Sequence, residues 1–141
     1  MSLTGKAADL WAGKKADNAG LNAEVERLGS LTLHQLGAEV MAKGFGPEGP
    51  GSSGYADAAD IAGAFTQSYQ GRGDDEAATQ QLYEMVAEGV QVLEHACIVR
   101  PVFHGQGGDF SSYNLGWGAT RLGRAALERG AVERVLDGGS L

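Results

Sequence analysis

Val92-Leu93-Glu94-His95-Ala96-Cys97-Ile98-Val99-Arg100-Pro101-Val102-Phe103 is the stretch whose reading decides the fold. The glycine-rich run His104-Gly105-Gln106-Gly107-Gly108-Asp109 follows it. Then come Tyr113-Asn114-Leu115-Gly116-Trp117 and Thr120-Arg121-Leu122-Gly123-Arg124-Ala125-Ala126-Leu127. The apolar spacing of three and four that ends at Leu93 gives way to a β-branched and aromatic run, which predicts a helix passing into a strand. Pro101 has no amide hydrogen to give to a ladder and demands an edge or a bulge in that strand. On the return, Tyr113, Leu115 and Trp117 alternate with Asn114 and Gly116, so one face of the second strand is apolar. Thr120 then caps a new helix that ends near Gly130. The predicted order is helix, strand, loop tip, strand, helix.

Working back from this segment, Asp74 or Asp75 opens the longest helix, which runs to Ala96. Leu82, Met85, Val86, Gly89, Val90, Leu93 and Cys97 line one face of it, and Glu84, Glu88, Gln91 and His95 line the other. Upstream, Asp57 caps a short helix carrying Ile61, Ala62, Phe65 and Tyr69, which Gly71-Arg72-Gly73 ends. The run Gly46 to Gly54 is too rich in glycine and proline for regular structure. Ser30 or Thr32 caps a helix with Leu33, Leu36, Val40 and Met41 on one face, and Gly44 is its expected stop. Residues 1–29 are expected to form an N-terminal helical extension of two thin helices, Leu3 to Lys14 and Leu21 to Leu28, split at Asp17-Asn18-Ala19-Gly20. The remaining residues, 30–141, are expected to form the main domain.

The totals narrow the function. At 141 residues the chain suits one domain, and its 43% hydrophobic and 21% charged content is that of a globular protein. The net charge of −7 repels nucleic acid and anionic membrane at long range. Cys97 is the single cysteine, which excludes an intrachain disulfide and fits a reducing, cytoplasmic setting. No run approaches the roughly 18 apolar residues of a membrane span, and Met1 to Lys6 lacks a signal-peptide core.

Leu93 to Arg100 resembles the end of the third helix of a winged helix-turn-helix domain and the start of its sheet. Thr120-Arg121-Leu122-Gly123-Arg124 resembles the segment that follows the wing in that superfamily, which is common among bacterial regulators. The resemblance covers about residues 31–130 and implies an α+β, mostly helical fold: a three-helix core with a two-stranded antiparallel wing. Thr32–Lys43 would be the first helix, Asp57–Thr66 the second and Asp75–Ala96 the third. Three positions depart from the pattern. Cys97 stands where the family places a glycine for a left-handed turn, Tyr113 lies seven residues before Thr120 instead of three, and the link between the first two helices is long.

The resemblance implies DNA binding through the third helix, and the charges oppose it. No lysine or arginine lies between Arg72 and Arg100, while Asp74, Asp75, Glu76, Glu84, Glu88 and Glu94 do. Such a face meets phosphate repulsion with no counterion release in return. From Arg100 onward five arginines face four acids, so Arg100, His104, Gln106, Arg121 and Arg124 are the candidate nucleic-acid contacts if DNA is bound. Gln80, Glu84, Glu88 and Gln91 are the candidate face if the partner is a protein. Both sets are also what solvated helix and strand positions look like.

His95, Cys97 and His104 are close in sequence, but the first two diverge at a helix end, and an exposed histidine and a buried thiol explain them without a metal. The Gly105-to-Asp109 run lacks the lysine and hydroxyl of a phosphate loop. Arg72-Gly73-Asp74 is accounted for by the entry to a helix, and His34 has no catalytic partner legible in the sequence. No nucleophile-base set and no cofactor motif is present. The expectation is a non-enzymatic regulatory or protein-interaction module, homodimeric through Trp11 and the Tyr113/Leu115/Trp117 face; core burial explains that face equally well, and the N-terminal helices pack either on the domain or on a second subunit. A DNA-binding regulator is the alternative, and a small ligand sensor or enzyme comes third.

Overall fold

A computed structural model describes residues 19–66, 76–104 and 114–141. Over these residues the protein is α+β and mostly helical, with six helices and a two-stranded antiparallel sheet. In chain order they are α1 (19–29), α2 (Leu33–Phe45), α3 (Ala58–Phe65), α4 (Glu76–His95), β1 (Val99–His104), β2 (Asn114–Ala119), α5 (Arg121–Glu128) and α6 (Val132–Leu136). The expected helix over Leu3 to Lys14, the opening of α4 at Asp74 or Asp75, Tyr69 and the Gly105-to-Asp109 loop lie outside the described residues.

Side-chain caps fix the helix starts. Thr32, not Ser30, caps α2. Its hydroxyl accepts from the Gln35 amide at 3.2 Å, and the Gln35 side chain accepts from the Thr32 amide at 3.0 Å. Asp57 and Asp60 make the same reciprocal pair at the start of α3, at 2.8 and 3.2 Å. The expected stop at Gly44 is wrong: α2 continues to Phe45 and Gly46 caps it. Gly44 is small for a packing reason, because a Cβ there would stand 3.2 Å from Ile61 Cγ1.

The core runs from α1 to α6. Ala78, Leu82, Val86, Gly89, Val90 and Leu93 are the buried face of α4. They meet Leu36, Val40 and Met41 of α2, Ile61 and Phe65 of α3, and Ile98. Each fully buried side chain of this size contributes about 1.5–3 kcal/mol relative to exposure. Two members of the expected face depart from it: Met85 is half-buried, and Cys97 is exposed. Leu21 and Leu28 are buried in the same core, so α1 packs on the domain. Arg27 strengthens the join, reaching Glu24 at 2.6 Å and Glu39 of α2 at 3.2 Å. Those two carboxylates hold its guanidinium still more firmly protonated than usual.

α4 ends in a left-handed turn at Cys97, φ +59°. The Ile98 amide donates to the Leu93 carbonyl at 2.9 Å and the Cys97 amide to Glu94 at 3.0 Å, the two bonds of a Schellman cap. Because Cys97 lies beyond the last helical residue, its side chain leaves the helical face, which is why spacing alone misplaced it. The turn aims β1 back along the core, and Thr120 closes it: its hydroxyl donates to the Cys97 carbonyl at 2.5 Å and accepts from the Gly123 amide at 3.0 Å. Gly123 is required there, since a Cβ would collide with the Ile98 carbonyl.

In the hairpin Val99 pairs with Ala119, Pro101 with Trp117 and Phe103 with Leu115. The other edge of β2 is covered by Ala56, whose amide and carbonyl bond Trp117 at 2.9 and 2.8 Å. β1, with Pro101, is thus the edge strand among the described residues. The sequence showed no sign of Ala56 joining the sheet. Its place is made by Gly116 and Gly118, where side chains would strike the Tyr55 ring and the Gly54 carbonyl.

Candidate interaction surface

α4 presents a polar stripe to solvent, with Gln81, Tyr83 and Ala87 also exposed beside it. Its buried face is consumed by α2 and α3, so Gln80, Glu84, Glu88, Gln91 and His95, at spacings of three and four, all stand exposed on the side away from the core. Within the stripe Gln80 Nε2 donates to Glu84 at 3.5 Å, a local bond one turn apart. Glu94 leaves this set: it is half-buried and accepts from the Trp117 indole at 2.6 Å. Of the acids along the helix, it therefore serves the sheet and not the exposed face.

The lower half of the stripe borders a cleft of about 690 Å³ between α2, α4 and α6. Its walls are Leu33 and His34 from α2, Val135 and Leu136 from α6, and Glu88, Gln91, Val92, His95 and Ala96 from the end of α4. The five apolar members form the floor. Leu33 is 56% exposed, an unusual state for a leucine in the first turn of a capped helix. His34 Nδ1 and Asp137 meet at 2.6 Å across the α2–α6 side. No local signal marks this pair, because its members are 103 residues apart.

Arg100, Arg121 and Arg124 are exposed and have no ion-pair partner among the described residues. Arg100 lies on β1 opposite Gly118, and Arg121 and Arg124 share a face of α5. Arg124 borders a smaller cavity, about 210 Å³, with Phe45, Pro47 and Leu127. His104 is the last residue of β1, and Gln106 lies outside the described residues. The expected apolar face of β2 is split. Trp117 packs on the core, whereas Leu115 is 49% exposed beside Phe103 at 69%.

Tyr55 was not singled out in the sequence. Burial first, and then the charges of Asp57 and Asp60, push its phenol above the ordinary tyrosine value. Among the described residues no group of three His, Cys, Asp or Glu side chains could hold a metal ion, and no helix is long and apolar enough to cross a membrane. Compared with known proteins, the chain matches no family model, no curated protein and no solved structure.

Proposed function

We propose that this protein is a non-enzymatic regulatory or protein-interaction module built on a winged-helix-like scaffold, and that α4 is its contact surface. The order of α2, α3, α4, β1, β2 and α5 supports the scaffold. So does the left-handed turn at Cys97, which falls where the superfamily turns. One observation carries the function: the helix that would read DNA on such a scaffold exposes Gln80, Glu84, Glu88 and Gln91, with no lysine or arginine along it and an apolar cleft beside it. Phosphates would be repelled by that face, whereas a protein partner gains from both its charge and its apolar floor. The exposed Phe103–Leu115 pair is the surface through which a homodimer would close.

The three unpaired arginines favour a second reading, a DNA-binding regulator that uses the wing and α5 in place of α4. Titration of the 15N-labelled protein with mixed-sequence duplex DNA at about 20 mM salt, where phosphate contacts are strongest, separates the two. The interaction module shows no binding. Salt-sensitive binding that disappears in Arg121→Ala/Arg124→Ala would put DNA first.

A further inference from the structure

We propose that the cleft between α2, α4 and α6 seats a cationic amphipathic helix of a protein partner. The proposal rests on α4 being an interaction surface and adds the chemistry of what binds there. α6 is only five residues long and lies against α2, with Leu136 Cδ1 3.1 Å from where a Cβ on Gly37 would be. It fills one end of the groove beside α2 and stops. Beyond it, Leu33, Val92, Ala96 and Val135 are left as an apolar floor that no element covers among the described residues. A floor of this kind takes apolar anchors spaced i, i+3 or i+4, and i+7 on a partner helix.

The rims decide the sign of that helix. Glu88 lines the cleft from α4, with Glu84 exposed one turn further along; on the other side Asp137 is engaged by His34, and α6 carries exposed Glu133 and Arg134 in balance. No lysine or arginine lines the cleft, and none occurs from Gly73 to Val99. An apolar strip beside an acidic α4 rim is complementary to leucine-like anchors flanked on that side by lysine or arginine. The α4 wall of the cleft runs from Glu88 to Ala96, eight residue steps or about 12 Å at 1.5 Å per residue, which matches just over two turns of a partner helix. Glu84, exposed one turn before this wall, extends the acidic rim past the cleft, where an elongated helix reaches it and a small molecule does not.

The test uses two fluorescein-labelled 18-residue model helices with the same leucine face, one flanked by lysine and one by glutamate. Each is titrated into the full chain by anisotropy and by 15N amide shifts. The lysine peptide is expected to bind and to shift Leu33, Val92, Ala96 and Leu136. Glu84→Lys/Glu88→Lys should weaken it at least tenfold and improve the glutamate peptide. Glu84→Gln/Glu88→Gln should fall between, and Phe103→Ser should change nothing. Because all these positions are exposed, an unaltered circular dichroism spectrum is expected for each variant.

Equal affinity of the lysine peptide for the wild type and both charge variants would overturn the proposal. So would shifts confined to residues away from the cleft. If the glutamate peptide binds the same residues better, the cationic partner is wrong while α4 stays an interaction surface. If duplex DNA at the same salt shifts the α4 amides in competition with either peptide, the interaction reading itself falls.

Discussion

Gly89 sits where α4 crosses α2, and replacing it tests how tightly that crossing is made. A Cβ at Gly89 would stand 2.6 Å from Val40 Cγ2 and 3.2 Å from Val40 Cβ. Carbon atoms rest at about 3.5–4.0 Å, so the overlap is close to 1 Å. Val40 is fully buried and β-branched, so it has neither space nor a free rotamer to retreat into. Gly63, in α3, is the matched control: it is exposed, and an added Cβ there meets nothing within 4 Å. Both substitutions to alanine gain the same helix-propensity term of about 0.5–1 kcal/mol. Only Gly89→Ala carries the overpacking cost of about 1–3 kcal/mol.

Gly63→Ala is therefore expected to stabilise by about 0.5–1 kcal/mol, and Gly89→Ala to destabilise by about 1 kcal/mol. The difference between them isolates the crowding, because the propensity term cancels. Urea unfolding followed by circular dichroism and by tryptophan emission reads both, and the m-value should be unchanged. Equal shifts for the two variants, within about 0.5 kcal/mol, would refute the tight crossing.

Two further outcomes follow from local geometry. Cys97→Gly should stabilise by about 0.5–1 kcal/mol relative to Cys97→Ala, since a non-glycine residue in the left-handed region costs about 1–2 kcal/mol and glycine returns part of that as unfolded-state entropy; urea melts of the pair check it. Tyr55 has its folded-state pKa raised, so its neutral form is favoured by folding and its contribution to stability is complete below the ordinary tyrosine value near 10. That contribution is lost as pH rises through the folded value, and Tyr55→Phe should flatten the alkaline limb of a stability-against-pH curve.

The elements legible in the sequence were those written in short-range chemistry. Asp57 and Thr120 were readable as caps because capping needs a side-chain oxygen within three residues. The buried face of α4 was readable because one helix meets one core. Gly44 was misread because a glycine that ends a helix and a glycine that lets Ile61 approach look alike in one dimension. Cys97 was assigned to the apolar face by extending a period one residue past the cap that breaks it. For the candidate surface, the stripe from Gln80 to Gln91 was legible from spacing. The cleft beside it was not, since it depends on α6 reaching α2 across most of the chain. Tyr55 and Ala56 packing on the sheet likewise required a partner about sixty residues away.

The His34–Asp137 contact has a consequence for when the cleft exists. Closing a loop costs about (3/2)RT ln n, so joining residues 103 apart costs about 1.3 kcal/mol more than joining Glu94 to Trp117, which are 23 apart. Contacts of low separation, such as the α4–β1 turn and the hairpin, close cheaply and early. On loop-closure entropy alone the α2–α6 wall is therefore costlier to close than those local contacts. A molecule in which it is open offers an acidic helix but no seat beside it. Any partner held in that seat selects the completed fold and adds its binding free energy to the stability of the whole domain.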